Sequence, residues 1–190
     1  LADELKQLDK KQTKALAEAI REELVEKVKE TGGHLASNLG AVELTVALYK
    51  VFDFPVDKLI FDVGHQSYVQ KLLTGRDLGS LRQKGGTSGF PDPEESEHDA
   101  FIAGHSGTSV AAGIGLCNAR DLRGENYKVV SVIGDASLGN GLALEAVFSS
   151  EEKPKNFLVI LNDNGMSITK NHSALYRSIS KMTAKKRYRS

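Results

Sequence analysis

The stretch from Tyr127 to Leu161 limits the possible folds more than any other part of this chain. Tyr127-Lys-Val-Val-Ser-Val-Ile133 and Asn156-Phe-Leu-Val-Ile-Leu161 are short, rich in β-branched residues and almost continuously apolar. Strands of this kind are buried on both faces, as parallel strands are. Between them, Leu138 to Ser149 has the length and composition of one helix. Strand, helix and strand at this spacing make a parallel pair with a right-handed crossover. The prediction is an α/β fold, a predominantly parallel sheet with helices on both faces.

Upstream, Leu16, Ile20, Leu24 and Val28 recur every fourth residue and mark one face of a helix from Asp9 to Thr31. Gly32-Gly33 closes it, because glycine accepts the backbone conformation of a helix C-terminus. A second helix is predicted over Ala41 to Val51, and Lys58-Leu-Ile-Phe-Asp-Val63 reads as a buried strand closed by Gly64-His65. Lys84 to Glu97, rich in Gly, Pro and Ser without an apolar period, is a loop. Ser106 to Arg120 carries many Gly and Ala, a helix whose backbone can approach a neighbour closely. No repeat, low-complexity tract or internal boundary interrupts residues 1–190, so one domain is expected.

At 190 residues and 40% apolar content, the chain can bury a substantial core without disulfide or metal staples. Its 25 basic and 25 acidic residues cancel, which argues against nucleic acid or an anionic membrane as a partner. The single cysteine, Cys117, excludes an internal disulfide and reads as a packed, inert thiol in a reducing compartment. No apolar run nears the roughly 20 residues that span a bilayer. Leu1 to Lys11 lacks the apolar core of a secretory signal, so the cytoplasm is the expected location. The chain opens without methionine and stops in Lys185-Lys186-Arg187-Tyr188-Arg189, a basic run read as a solvated end. A longer parent protein is expected.

Ligands of a parallel sheet sit just beyond the carboxyl ends of its strands. Asp135 follows the strand ending at Ile133, and Asn164 follows the strand ending at Leu161, so they converge if those strands are neighbours. A carboxylate, an amide oxygen and a backbone carbonyl make a sparse hard-oxygen set. Such a set holds magnesium when a ligand's phosphates complete the octahedron. The helix predicted from Leu138 would aim free N–H groups at the same place, favouring an anion. Gly134, Gly139 and Gly141 would let backbone approach it closely. Asp after a strand and Asn in a loop are also common turn and capping residues, and spacing alone leaves both readings open. A phosphoacceptor Asp of a receiver-like domain is the weaker rival, because no adjacent acidic pair follows an earlier strand. His34, His65 and His105 each lie beside a glycine at an element end, where a histidine is more often a hydrogen-bonded loop residue than a catalyst. His98 and His172 read as surface residues.

Gly134-Asp135, followed after a helix's length by Asn162-Asp163-Asn164, resembles the thiamine-diphosphate motif, which begins Gly-Asp-Gly and ends at an Asn. Further stretches narrow the match: Thr31-Gly-Gly-His-Leu-Ala-Ser-Asn-Leu-Gly40 with Val42-Glu43-Leu44-Thr45, and Asp62-Val-Gly-His-Gln-Ser-Tyr68 with Leu73-Thr-Gly-Arg76. Ser88-Gly-Phe-Pro91, Glu95-Ser-Glu-His-Asp-Ala-Phe101, Gly104-His-Ser106 and Thr108-Ser109 follow. In this order, from about Leu16 to Leu175, the chain resembles the 1-deoxy-D-xylulose-5-phosphate synthase family, relatives of transketolase.

The resemblance implies a transketolase-like fold that binds thiamine diphosphate and Mg2+, and a transferase of isoprenoid and thiamine biosynthesis. Asp135 and Asn164 would hold the metal through their side chains and Met166 through its backbone carbonyl. His65, Gly104, His105, Ser106, Asp135, Ala136, Ser137 and Asn164 would contact the cofactor. His34 and His65 would be catalytic, His34 by assisting proton transfers on the substrate. In the family, pyruvate loses carbon dioxide and its remaining two carbons join glyceraldehyde 3-phosphate, the cofactor carrying the difficult step. The family also has a second domain, which grips the aminopyrimidine ring and supplies a glutamate, and a third. This chain would then be the N-terminal part of a longer homodimeric enzyme, one wall of the site, inactive alone.

Local departures accompany the match. Ala136 replaces the usual glycine, Ser137-Leu-Gly-Asn-Gly141 and Glu151-Glu-Lys-Pro-Lys155 differ from the family's runs, and Gly165 stands where an acid is usual. The alternatives are a divergent non-catalytic paralogue serving as scaffold or regulatory subunit, and the N-terminal subunit of a split transketolase.

Overall fold

Among the described residues, three parallel strands carry the architecture, side by side in chain order: β1 (Lys58–Phe61), β2 (Val129–Gly134) and β3 (Phe157–Asn162). The computed structural model describes residues 2–149, 154–163 and 181. Its helices are α1 (Ala2–Leu5), α2 (Lys10–Thr31), α3 (Leu35–Leu39), α4 (Val42–Val51), α5 (Tyr68–Leu73), α6 (Ser109–Arg123), α7 (Asp135–Leu138) and α8 (Gly141–Ser149). In register, Lys58 lies opposite Val129, and Val129 opposite Phe157. The predicted parallel pair is therefore present, with β2 between two neighbours.

Side chains alternate across the sheet and sort the core into two faces. Leu59, Phe61, Val130 and Val132 pack with Ile20, Leu24 and Val28 of α2, Val46 and Tyr49 of α4, and Tyr68 and Leu73 of α5. On the other face, Ile133 packs with Val110 of α6 and with Ala143 and Ala146 of α8. Ile60 and Val129 pack there against Cys117. Burial pushes the Cys117 thiol pKa up, in keeping with an inert packed residue. The glycines of α6 also have a purpose. A Cβ at Gly113 would lie 2.6 Å from the Phe157 ring and 2.7 Å from Ser131 Oγ, so the helix sits against the sheet at glycine distance.

The α2 helix forms as its periodicity predicts, with Ala17, Ile20, Leu24 and Val28 buried. The Asp9 carboxylate accepts from the Gln12 N–H while the Gln12 side chain accepts from the Asp9 N–H, a reciprocal cap. Gly32, at φ 75°, ends the helix. Burial of Ile20, Leu24 and Val28 stabilises the domain by about 1.5–3 kcal/mol each. A charge at Leu24, which is fully buried, would break this packing.

The structure departs from the sequence-based expectations at four points. The helix predicted from Ser106 starts at Ser109, because Gly107 adopts φ 86° and its N–H is taken by Asp62. The helix predicted to begin at Leu138 begins at Gly141 as α8, and a separate short helix, α7, precedes it, the two parted at Gly139-Asn140, where the Asn140 side chain donates to Ser106 Oγ. Coverage on both faces holds for β1 and β2 but not for β3. Both β1 and β3 are edge strands among the described residues, but only β3 leaves successive side chains, Leu158 and Val159, exposed. His98 is not a free surface residue either: it is half-buried, stacked on the Tyr49 ring with Nδ1 3.3 Å from the Tyr49 hydroxyl.

Candidate functional site

The strand register lines up the residues that leave the sheet at its carboxyl edge. Phe61 is opposite Val132, and Gly134 is opposite Asn162. Asp135 therefore emerges beside the segment that runs from Asn162 toward Asn164. The condition for their convergence, neighbouring strands, is met. Asn164 and Met166 themselves lie outside the described residues, as does His172. Asp135 is half-buried at the first position of α7, and no described residue donates a hydrogen bond to its carboxylate. Among the described residues no group of three or more His, Cys, Asp or Glu side chains could hold a metal.

The tip of β1 is strained and heavily braced. Val63 takes φ 62°, a region β-branched residues rarely enter, at a cost of order 1–3 kcal/mol. Gly64 follows at φ 87°, and a Cβ on it would lie 2.5 Å from Pro91 Cδ. Beneath them, buried Asp62 accepts from the N–H groups of Gly107 at 2.8 Å and Ser109 at 3.0 Å. One carboxylate thus caps α6 and fixes the Gly104–Ser106 stretch relative to His65. Ser106 Oγ in turn accepts from Asn140 at 2.6 Å, tying that stretch to the turn after Asp135.

His34 and His65 meet, edge to face, with ring centroids 5.3 Å apart. His34 is exposed, and its Nδ1 lies 3.5 Å from the hydroxyl of buried Tyr68. His65 is half-buried, and its Nδ1 has no hydrogen-bond partner among the described residues. Burial first, then the adjacent His34, hold the His65 pKa below the usual histidine value against the pull of Asp62. Its imidazole is therefore neutral at pH 7 and able to exchange a hydrogen bond with a ligand. Asn38, fully buried in α3, donates to the carbonyls of both histidines.

A strap over residues 88–99 closes one side of this pair, with the Phe90 ring 6.3 Å from that of His34. An ion cluster secures it. Lys71 reaches Glu95 at 2.5 Å, and Arg76 reaches Glu95 at 2.9 Å and Asp99 at 2.6 Å. Glu95 also accepts from the Ser88 N–H, and Asp99 from the Asp92 N–H, so the carboxylates hold the strap's backbone directly.

Two groups of polar residues therefore share the carboxyl edge of the sheet. The histidine pair stands at the tip of β1 and Asp135 at the tip of β2, linked through Asp62 and the Ser106–Asn140 contact. The family model described as 1-deoxy-D-xylulose-5-phosphate synthase matches residues 1–190. The chain belongs to this family. It is 53% identical over 181 residues to the 1-deoxy-D-xylulose-5-phosphate synthase of Clostridium botulinum (strain Alaska E43 / Type E3), covering 94% of this chain and 29% of the relative. The counterpart from Caldanaerobacter subterraneus is 54% identical, with 94% and 29% covered. The chain thus spans about three-tenths of the length of these relatives. In structure it resembles transketolase from Campylobacter jejuni, with a TM-score of 0.73 at 22% identity, covering 90% of this chain and 32% of that one. A Pichia stipitis transketolase gives 0.72 at 23% identity, with 87% and 30% covered. At such identity these two matches establish the shared fold.

Within this synthase family fold, Ala136 is no obstacle. It lies in helical backbone, exposed, and is absent from the positive-φ residues, so its methyl group strains nothing. Asn38, Asp62, Lys71, Glu95 and Asp99 were assigned no role by sequence reasoning. Their one signal was polar character inside apolar surroundings, as in Tyr-Val-Gln-Lys-Leu-Leu of α5.

Proposed function

We propose that this chain forms the diphosphate- and Mg2+-binding wall of a thiamine-diphosphate site. In the intact protein that site would condense pyruvate with glyceraldehyde 3-phosphate, releasing carbon dioxide and forming 1-deoxy-D-xylulose 5-phosphate. The register of β2 and β3 is the main support, since it sets Gly134 opposite Asn162, and no described residue donates to the Asp135 carboxylate that follows Gly134. His65 Nδ1, buried without a partner among the described residues, is a second sign that these residues suit a polar ligand.

Asp135 and Asn164 would bind the metal through side chains and Met166 through its carbonyl, in the oxygen set that magnesium prefers. Gly104, His105, Ser106, Ala136, Ser137 and Asn164 would contact the cofactor, His105 and Ser106 being exposed for it. When bound, thiamine diphosphate supplies the electron sink for decarboxylating a 2-keto acid. Neutral His65 would donate or accept one hydrogen bond at that centre. His34, whose Nδ1 lies by Tyr68, would move protons at the substrate oxygen through Nε2. The remaining domains, and pairing into a homodimer, would complete the site.

Calorimetric titration of the intact protein with thiamine diphosphate and Mg2+, beside Asp135→Ala, tests this. The variant should lose roughly the 1.5–3 kcal/mol of one charged contact. Equal binding by both proteins would remove the proposed metal site.

A further inference from the structure

We propose that Asn38 is a positioning residue that fixes the separation of His34 and His65, a role that rests on the histidine functions just proposed. Its side chain is fully buried, and its carboxamide is committed to three backbone groups. Nδ2 donates one hydrogen to the His34 carbonyl and the other to the His65 carbonyl, each at 2.8 Å. Oδ1 accepts from the Tyr68 N–H at 2.9 Å. The amide orientation follows from this environment, because a flipped group would turn its oxygen toward two carbonyl oxygens.

The rings above are lightly held by comparison. His34 Nδ1 has a 3.5 Å contact with the Tyr68 hydroxyl, and His65 Nδ1 has no partner among the described residues. Their 5.3 Å spacing is therefore set by the backbones that carry them, and one NH2 group ties those backbones together. The segments it joins are far apart in sequence, one entering α3 and the other leaving the strained tip of β1. Without it, the His65 carbonyl has no tether to α3, and the two rings drift apart or rotate. A shift of about 1 Å at reacting groups can cost 10²-fold in rate. Asn38 touches no reacting atom in this arrangement and acts through the histidines.

The test follows the histidine ring signals of the intact protein by NMR through a pH titration. Asn38→Ser is uncharged and cannot reach both carbonyls. Asn38→Asp keeps the shape and the acceptor for Tyr68 but opposes the carbonyls. Because a new carboxylate would itself raise a nearby imidazole, the serine variant is the decisive one. The expected result is an upward move of the His65 titration, away from His34 and toward solvent, with His98 unmoved. A loss of about tenfold in kcat is expected alongside, with KM for pyruvate nearly unchanged. A folded Asn38→Ser protein whose His65 titrates as in the parent would overturn the proposal. Should both variants fail to fold, the unsubstituted protein supplies the answer. Protected Asn38 side-chain NH2 hydrogens support the tether, and rapid exchange with water overturns it. The titration needs no cofactor, so it is separable from the cofactor reading. A shifted His65 with Asp135→Ala binding normally would keep the tether and remove the proposed metal site.

Discussion

Replacing Lys71 by methionine asks what the ion cluster at the strap contributes. Lys71 is fully buried, with Nζ 2.5 Å from Glu95 and 3.7 Å from Asp99. Arg76 serves the same two carboxylates, so two cations face two anions and the group is neutral. Methionine keeps the unbranched stem and deletes the charge, leaving one carboxylate in excess. Burial lowers the Lys71 pKa, so relief of that desolvation offsets part of the lost attraction. Breaking one side of a buried pair costs about 3–5 kcal/mol. Here Arg76 remains, Asp99 keeps the Gln70 amide and the Asp92 N–H, and Glu95 keeps the Ser88 N–H. The expected loss is therefore about 2 kcal/mol. The double variant Lys71→Met/Glu95→Gln leaves Arg76 facing Asp99, is neutral again, and should fall within about 1 kcal/mol of the parent. Urea unfolding of the four proteins closes a double-mutant cycle. A loss below about 0.5 kcal/mol for Lys71→Met, or strictly additive single losses, would refute the reasoning.

Acid should loosen the same cluster. Burial pushes the Glu95 carboxyl up, but hydrogen bonds from Lys71 and the Ser88 N–H outweigh it and hold the pKa below the ordinary 4.5. A depressed folded pKa gives stability that is full above the unfolded value and lost as pH falls through the folded one. Stability, followed by urea unfolding from about pH 6 down to 3, should fall as pH drops below about 4.5, and Glu95→Gln should flatten the slope. At Gly113, alanine gains about 1 kcal/mol in helix propensity. Its Cβ would meet Phe157 at 2.6 Å and Ser131 Oγ, itself bonded to the Ser109 carbonyl, at 2.7 Å. Overpacking of about 1–3 kcal/mol should win, so a thermal midpoint at or above that of the parent would contradict the packing described. Asp62→Ala removes the acceptor for Gly107 and Ser109 and should cost about 2 kcal/mol. Hydrogen exchange at those two amides should accelerate, and unchanged protection would count against Asp62 as the cap.

The strands and α2 were legible because each is written in a local period. Apolar runs such as Val-Val-Ser-Val-Ile of β2 and the four-residue spacing of α2 need no knowledge of the rest of the chain. The start of α6 was not legible, since it is set by Asp62, which lies 47 residues before Ser109. The break between α7 and α8 escaped for the same reason, Asn140 being held by Ser106 from 34 residues away. At the candidate site, only the family resemblance implied functional roles for both His34 and His65, and their edge-to-face contact came from the structure. Asn38 sat within a family signature without a role, because a lone Asn in a short helix gives no sign that both its hydrogens are used. Lys71 gave a stronger sign, a cation amid Tyr, Val and Leu. A buried lysine requires anions, and the Glu95 to Asp99 stretch was the acidic segment to match.

The position of the strain connects these braces to the histidines. A Val at φ 62° next to a Gly at φ 87° would relax if either end of the loop were free. Neither end is. On one side Asp62 donates its N–H to the Val132 carbonyl and locks its carboxylate onto α6. On the other, Asn38 holds the His65 carbonyl and the Tyr68 N–H, while Pro91 fills the space above Gly64. Those contacts, each a buried hydrogen bond or close packing, offset the strain of order 1–3 kcal/mol at Val63. An unstrained turn would carry His65 away from His34 and into solvent, where burial could no longer keep its imidazole neutral. Every brace in this set comes from within residues 38–132. The geometry of the histidine pair and the lowered pKa of His65 are therefore built into this domain, whatever completes the opposite wall.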